Sequence, residues 1–315
     1  MDAAVPLVAL WVAFGLDHAF GEPAARWHPV VWMGRYLQAV GQRIAPTAGA
    51  AAPGAAGVFT LGATAWVLGA LVVLAVALAL QAMLQSLPVW AAGLLAGIAW
   101  KPLLAWRMLR EETAGVEQAL SASLEEGRAR LSRLVSRDVA QLDAEAVRES
   151  AIESLAENLN DSVVAPVFWF VLLGLPGAAV YRFANTADAM WGYRGERGGR
   201  TWEWAGKFAA RADDVLSWVP ARLTALLIAA AHRGLRWRVL RSEAARTASP
   251  NSGWPMAAMA LALDVRLGKP GVYVLHGAAR APVAADGRRA QAVAARAVAL
   301  LLLVASAAIV LGGLG

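Results

Sequence analysis

No cysteine occurs in the 315 residues. That absence removes disulfides, thiolate zinc sites, iron–sulfur clusters and cysteine nucleophiles together, and leaves oxygen or imidazole to hold any metal. Charge is scarce as well: 17% of residues are charged, against roughly a quarter in soluble domains, and none interrupts the chain from Ile44 to Trp100. That uncharged stretch excludes a soluble Rossmann enzyme. Familiar catalytic signatures are missing too, with no GxxxxGK[ST] loop, GxSxG elbow or HExxH, and no GxG-type fingerprint after a predicted strand. A nucleotide, if bound, is held without a common nucleotide fold. The N-terminus lacks the basic leader of a secretory signal; it carries Asp2, and its apolar run ends at Asp17 and His18, which predicts that the segment is retained.

What is present is apolar. Hydrophobic residues make up 58% of the chain and mean hydropathy is +0.49, which predicts an all-α integral membrane bundle of about four to six segments. After a turn-rich stretch, APTAGAAAPGAAG, the chain runs apolar from Val58 to Leu84, and again from Pro88 to Trp106. Gly93 and Gly97 form a small-xxx-small pair in the second run, a pattern that lets helices approach closely. Further candidates are Val5–Leu16, Val163–Tyr181, Val215–Ala231 and Ala297–Leu314. Val163–Tyr181 has arginine-bearing segments on both sides and contains Pro166, Gly174, Pro176 and Gly177. It reads as a re-entrant or broken segment, tolerated where protein or a cavity satisfies the backbone. The 14 tryptophans suit interfacial anchoring or ordinary core packing equally.

The region Arg107–Asp161 is the one long water-compatible stretch and predicts a helical extramembrane layer within a single membrane domain spanning 1–315. Glu149, Glu153, Glu157 and Asp161 follow one another at i+4, so four carboxylates spread over about 120° of helix surface. Asn160 falls on that face, and Ile152, Leu155 and Leu159 fall opposite. The pattern predicts one buried side and one carboxylate side. Like charges at this spacing repel and require a counter-charge. A solvated acidic face paired with arginines and a Mg²⁺ site both fit the spacing.

The net charge of +6 comes from arginines clustered at 182–211 and 233–289. Positive-inside orientation beside anionic lipid and phosphate binding both account for them; nucleic-acid binding does not, because no recognition module is present. Arg182, Asn185 and Asp188 repeat at i+3 and share a face. Lys207, Arg211, Asp214, Trp218 and Arg222 line another if the helix survives Pro220. Ionisable residues at membrane depth are costly and default to function; Arg211 suits a phosphate clamp and Lys207 a point charge. Ser249–Pro255 reads as a stiff turn leading into a helix. Asp17, Glu22, His28, Pro29 and Gly34 make a polar junction, in which His28 reads first as a structural hydrogen-bonding residue.

The ordered segments LDHAFGEPAARWHPVVWMG (16–34), AIESLAENLNDSVVAPVFWF (151–170), LPGAAVYRFANTADAMWGYR (175–194), WAGKFAARADDVLSWVPARLTAL (204–226) and SPNSGWPMAAMALALDVRLG (249–268) resemble the CobD/CbiB family of cobalamin biosynthesis, the adenosylcobinamide-phosphate synthases. The resemblance covers most of the chain. It implies an ATP- and Mg²⁺-dependent ligase of the bacterial inner membrane that joins adenosylcobyric acid to (R)-1-amino-2-propanol or its O-phosphate, beside membrane lipid and other late-pathway membrane enzymes. On that reading Glu157, Asp161 and Asp188 hold Mg²⁺, and Arg182, Lys207 and Arg211 engage phosphates. Glu153 or Asp214 is the base, with Asp161 also in the catalytic set, and Asn158, Asn185 and Asn251 orient substrate. An open polar cavity is expected near Asp161, Asp188 and Arg211. Val139 stands where the family pattern has Thr, and Ser162 where it has Gly. The rivals are a noncatalytic sensory relative similar to AmpE, which should have lost these polar islands, and a transporter, for which no inverted repeat is evident.

Overall fold

The computed structural model describes residues 3–49, 54–232 and 236–313. Asp2, Arg233 and Leu314, used in the sequence reading, lie outside them. The helices are α1 (Ala4–Phe20), α2 (Pro29–Ile44), α3 (Ala55–Gln85), α4 (Val89–Trp100), α5 (Trp106–Ala122), α6 (Leu124–Leu131), α7 (Ala144–Leu159) and α8 (Ala165–Trp191), continuing as α9 (Lys207–Leu216), α10 (Trp218–Ala231), α11 (Trp237–Ala244), α12 (Gly253–Leu263) and α13 (Ala284–Gly312). A π-turn, Asn160–Val164, joins α7 to α8. Two short antiparallel hairpins, β1 (Glu196–Arg197) with β2 (Arg200–Thr201) and β3 (Leu267–Lys269) with β4 (Tyr273–Leu275), are the only paired strands among the described residues. The expected all-α class holds. Four helical runs are long and apolar enough to cross a membrane, and the bent pair α9–α10 makes a fifth, within the expected number.

Local sequence sets the helix starts. His28 Nδ1 accepts from the Val30 amide at 3.3 Å, with Pro29 in the first turn of α2. Ser123 caps α6 through the Glu126 amide at 3.1 Å, and Asp143 caps α7 through that of Ala146 at 2.8 Å. Each satisfies a backbone donor that a helix start leaves unpaired.

The chain forms two compact units. One comprises Met1–Leu104, Pro166–Leu216 and Ser306–Gly315; the other comprises Ala105–Ala165 and Ser217–Ala305. In the first, α1 and α4 pack side by side. A Cβ on Gly93 would come within 2.7 Å of Val8, and one on Gly97 within 2.6 Å of Val12, so the small-residue pair is an actual contact surface. Gly93 meets the start of α1 and Gly97 a point one turn on, so the helices run parallel and end together at a buried charge cluster. There Lys101 Nζ lies 2.9 Å from Glu22 and 3.4 Å from Asp17, and His28 Nε2 lies 2.9 Å from Glu22. Because Nδ1 of His28 is an acceptor, the ring donates through Nε2. Burial alone would raise the Glu22 pKa, but the bonds from His28 and Lys101 outweigh it and hold the carboxyl low.

The segment with arginines on both flanks folds back on itself. Gly174 adopts φ 67° and ψ −156° inside α8, a conformation open to glycine, and Pro176 stands two residues on. A Cβ on Gly177 would lie 2.6 Å from the carbonyl oxygen of Trp169, a proximity that an unbroken helix does not allow across eight residues. Gly174 sits against Gln81 near the end of α3, whereas Phe183 reaches back to Gly69. Phe170 stacks on Trp100 with ring centroids 3.8 Å apart. Both limbs therefore run from Gly174 toward the same end of this unit, and the segment dips and returns.

In the second unit α5, α6 and α7 pack around Val116, Leu131 and Val147. Val139, one of the two departures from the family pattern, fills this core, and the carbonyl of Ser162, the other, accepts from the Ala105 amide at 3.1 Å. Of the expected turn Ser249–Pro255, Ser249–Ser252 form bends and turns, while Gly253–Pro255 already belong to the first turn of α12. Two expectations fail. The helix after Lys207 breaks at Ser217, so Lys207, Arg211 and Asp214 lie on α9 while Trp218 and Arg222 lie on α10. The carboxylate side of α7 does not face water: Glu149 and Glu153 are buried along with Ile152 and Leu155, because β3 packs on the helix.

Candidate functional site

The acidic part belongs to the second unit. Charges in the 144–191 run stop at Asp161 and resume at Arg182, so α7 lies outside the apolar dip. The counter-charges that the stripe demands come from distant segments. Arg266 Nε donates to Glu149 at 2.9 Å and its Nη2 to Glu145 at 3.1 Å. Arg137 Nη2 donates to Glu153 at 3.4 Å and to Ser150 at 2.5 Å. Glu153 is 4% exposed, and burial pushes its pKa from 4.5 up to about 7 against the opposing pull of Arg137 and Tyr273. Burial also raises the Glu149 pKa in spite of Arg266. Tyr273, presented by β4, is driven upward by burial and by the charges of Glu153 and Glu157, so its hydroxyl keeps its proton.

The stripe changes character at its end. Glu157 and Asp161 are half-buried, and the π-turn starting at Asn160 takes Asp161 off the phase of an ideal helix; such turns recur at functional sites. Asn160 donates to Asp161 at 2.7 Å and accepts from Thr224 at 3.1 Å. Asn158 donates to the Ser154 carbonyl at 2.9 Å. Asn251, expected to orient substrate, accepts from Arg222 Nη1 at 2.9 Å. The Arg222 guanidinium stacks 4.3 Å from Trp218 and 4.9 Å from Trp254, so this asparagine oxygen braces a latch.

The mixed-charge part belongs to the first unit. Arg182 donates to Asn185 at 3.4 Å, and Asn185 donates at 3.4 Å to Asp213, joining α8 to α9. A side chain on Gly192 would collide with the Asp188 carboxyl. Lys207 Nζ lies 3.8 Å over the Trp204 ring, and Arg211 pairs with Asp214 at 3.2 Å while remaining 69% exposed. The predicted residues are thus divided: Glu153, Glu157, Asn158, Asp161 and Asn251 fall in one unit, and Arg182, Asn185, Asp188, Lys207, Arg211 and Asp214 in the other. Sequence reasoning missed Arg137, Asp213, Arg266 and Tyr273. Only Asp213 had a visible signal, as neighbour of the chosen Asp214; the others reach the acidic helix through tertiary folding.

These features define a multi-pass helical membrane protein whose candidate site residues fall in an acidic and a mixed-charge group. Residues 10–302 match the CobD/Cbib protein family, and the chain belongs to it. It is 42% identical over 285 residues to a probable cobalamin biosynthesis protein CobD of Pyrococcus abyssi, covering 90% of each chain. The cobalamin biosynthesis protein CobD of Chromobacterium violaceum is 42% identical over 274 residues, 84% of this chain and 82% of that one. That of Rhodobacter capsulatus is 38% identical over 315 aligned residues, 93% and 94% of the two chains. No solved structure matches.

Proposed function

We propose that the chain acts in cobalamin biosynthesis as an amide ligase, joining the free propionate carboxylate of adenosylcobyric acid to (R)-1-amino-2-propanol O-phosphate or the free amino alcohol. The observation that carries this reading is the family match across residues 10–302, supported by the polar segments being present in family order. A carboxylate is a poor acylating agent, and ATP supplies its activation. Arg182, Lys207 and Arg211 are the cations for phosphate oxygens, and Asn158 and Asn185 orient substrate groups. Glu153, with a pKa of about 7, is suited to take the ammonium proton near neutral pH; Asp214 is the alternative base.

Among the described residues no three His, Asp or Glu side chains gather as a metal cage. Mg²⁺ bound with nucleotide needs one or two carboxylates, substrate phosphates completing its shell. Glu157 and Asp161, one turn apart and half-buried, fit that demand. The reading places the protein in the cytoplasmic membrane, in contact with lipid and with other late-pathway membrane enzymes; relatives in archaea as well as bacteria accord with a membrane that both possess.

The test is an assay of detergent-purified protein with adenosylcobyric acid, ATP, Mg²⁺ and each form of the amino alcohol, reading the corrinoid by mass and the nucleotide as ADP or AMP. Amide product establishes the ligase and the nucleotide identifies the activated species. A folded, corrinoid-binding preparation that makes no amide overturns the reading.

A further inference from the structure

The first unit contains an apolar cavity of about 320 Å³ between α2, α3, the end of α4 and the returning limb of α8. Trp32, Tyr36, Val72, Val76, Ala77 and Ala179 are among its walls. Val72 and Val76 are also among the exposed residues of α3, so the cavity opens on the flank of a membrane-spanning helix. Its one lining hydroxyl, that of Tyr36, already donates to the Ala65 carbonyl at 2.7 Å. Water needs two to four polar partners, and beyond the spare acceptor of this hydroxyl the lining side chains are apolar; a void would forfeit the dispersion contacts of its walls. What remains is a hydrocarbon chain from the bilayer.

The residues on either side of the lining residue Trp32 specify the headgroup. Arg26 and Arg35 are exposed and have no acidic partner among the described residues. Around them Phe20, Trp27 and Trp32 are also exposed, and the Trp32 indole donates to the Arg26 carbonyl at 3.0 Å, which ties the cavity wall to the arginine segment. Aromatic rings interleaved with arginine mark the headgroup level, and guanidinium favours an anionic phosphate ester. We infer that the cavity holds an acyl chain of one anionic phospholipid, whose phosphate is met by Arg26 and Arg35.

Native mass spectrometry of protein released from nanodiscs of phosphatidylcholine and phosphatidylglycerol tests this without any assay of activity. Wild type should retain one phospholipid, mostly phosphatidylglycerol. Ala77→Phe fills the cavity and should lower occupancy about tenfold, and the double change Arg26→Gln and Arg35→Gln, made on exposed side chains, should abolish the headgroup preference. If Ala77→Phe does not fold, the arginine variant decides. Retention by the variants equal to wild type, or wild-type binding with no headgroup preference, overturns the inference.

Discussion

At the scale of single residues, burial separates the four carboxylates that spacing alone treats as one stripe. Glu153 has its folded-state pKa raised from 4.5 to about 7 by burial, opposed by Arg137 and Tyr273, with Glu149 adding slightly to the rise. Below pH 4.5 it is protonated folded or unfolded. Between there and 7 only the folded state keeps the proton, so stability falls as pH rises through that window, by on the order of 3 kcal/mol. Glu153→Gln should flatten this dependence in thermal unfolding and match or exceed wild-type stability at pH 8, while losing ligase turnover; an unchanged pH slope would discard the burial account. Asp161→Ala and Arg211→Ala, at half-buried and exposed positions, should each lower amide formation about a hundredfold or more with membrane insertion intact. Normal turnover by either variant removes that residue from the mechanism. The carboxylates were legible in sequence because i+4 spacing is local. Their partners Arg137, Arg266 and Tyr273 were not, because periodicity carries no information about which distant segment covers a face.

At the scale of elements, glycine placement explains what hydropathy leaves undecided. Gly93 and Gly97 let α4 approach α1 closely, a reading that sequence offered and that the clash distances of 2.7 and 2.6 Å support. Gly97→Leu should therefore force the pair apart and cost about 1–3 kcal/mol, measured as a lower unfolding temperature in detergent. Leu at Gly15, where an added Cβ meets nothing within 4 Å, is the control; equal effects would mean that the contact does not matter. The limits of sequence show in α9 and α10. Pro220 was the expected breaker, yet it is tolerated in the first turn of α10, where its missing N–H lacks a helical partner in any case. The chain breaks at Ser217 instead, which separates Lys207 and Arg211 from Arg222. The π-turn at Asn160 was invisible for a similar reason: an ideal 100° wheel has no place for an extra residue in a turn.

At the scale of the whole molecule, the reversal at Gly174 removes a difficulty that the linear chain poses. A straight crossing by Val163–Tyr181 would leave arginines on both sides of the membrane, against the positive-inside tendency. With the chain reversing at Gly174, the segment is not a straight crossing, and that difficulty does not arise. The rest of the path agrees. The turn Ser86–Pro88 between α3 and α4 is uncharged, and Gly313 packs on Ala3, so the start of α1 and the end of α13 share a level. The charge-bearing stretches follow the other ends of α1 and α4. The expected orientation puts the arginine side in the cytoplasm and the 86–88 turn outside. The absence of native cysteine makes the test clean: in intact cells Ser86→Cys should react with a membrane-impermeant maleimide, and Ser123→Cys, in the α5–α6 connection, should react only after permeabilisation. The reverse pattern would overturn that orientation, and with it the expectation that the arginine-bearing stretches face the cytoplasm.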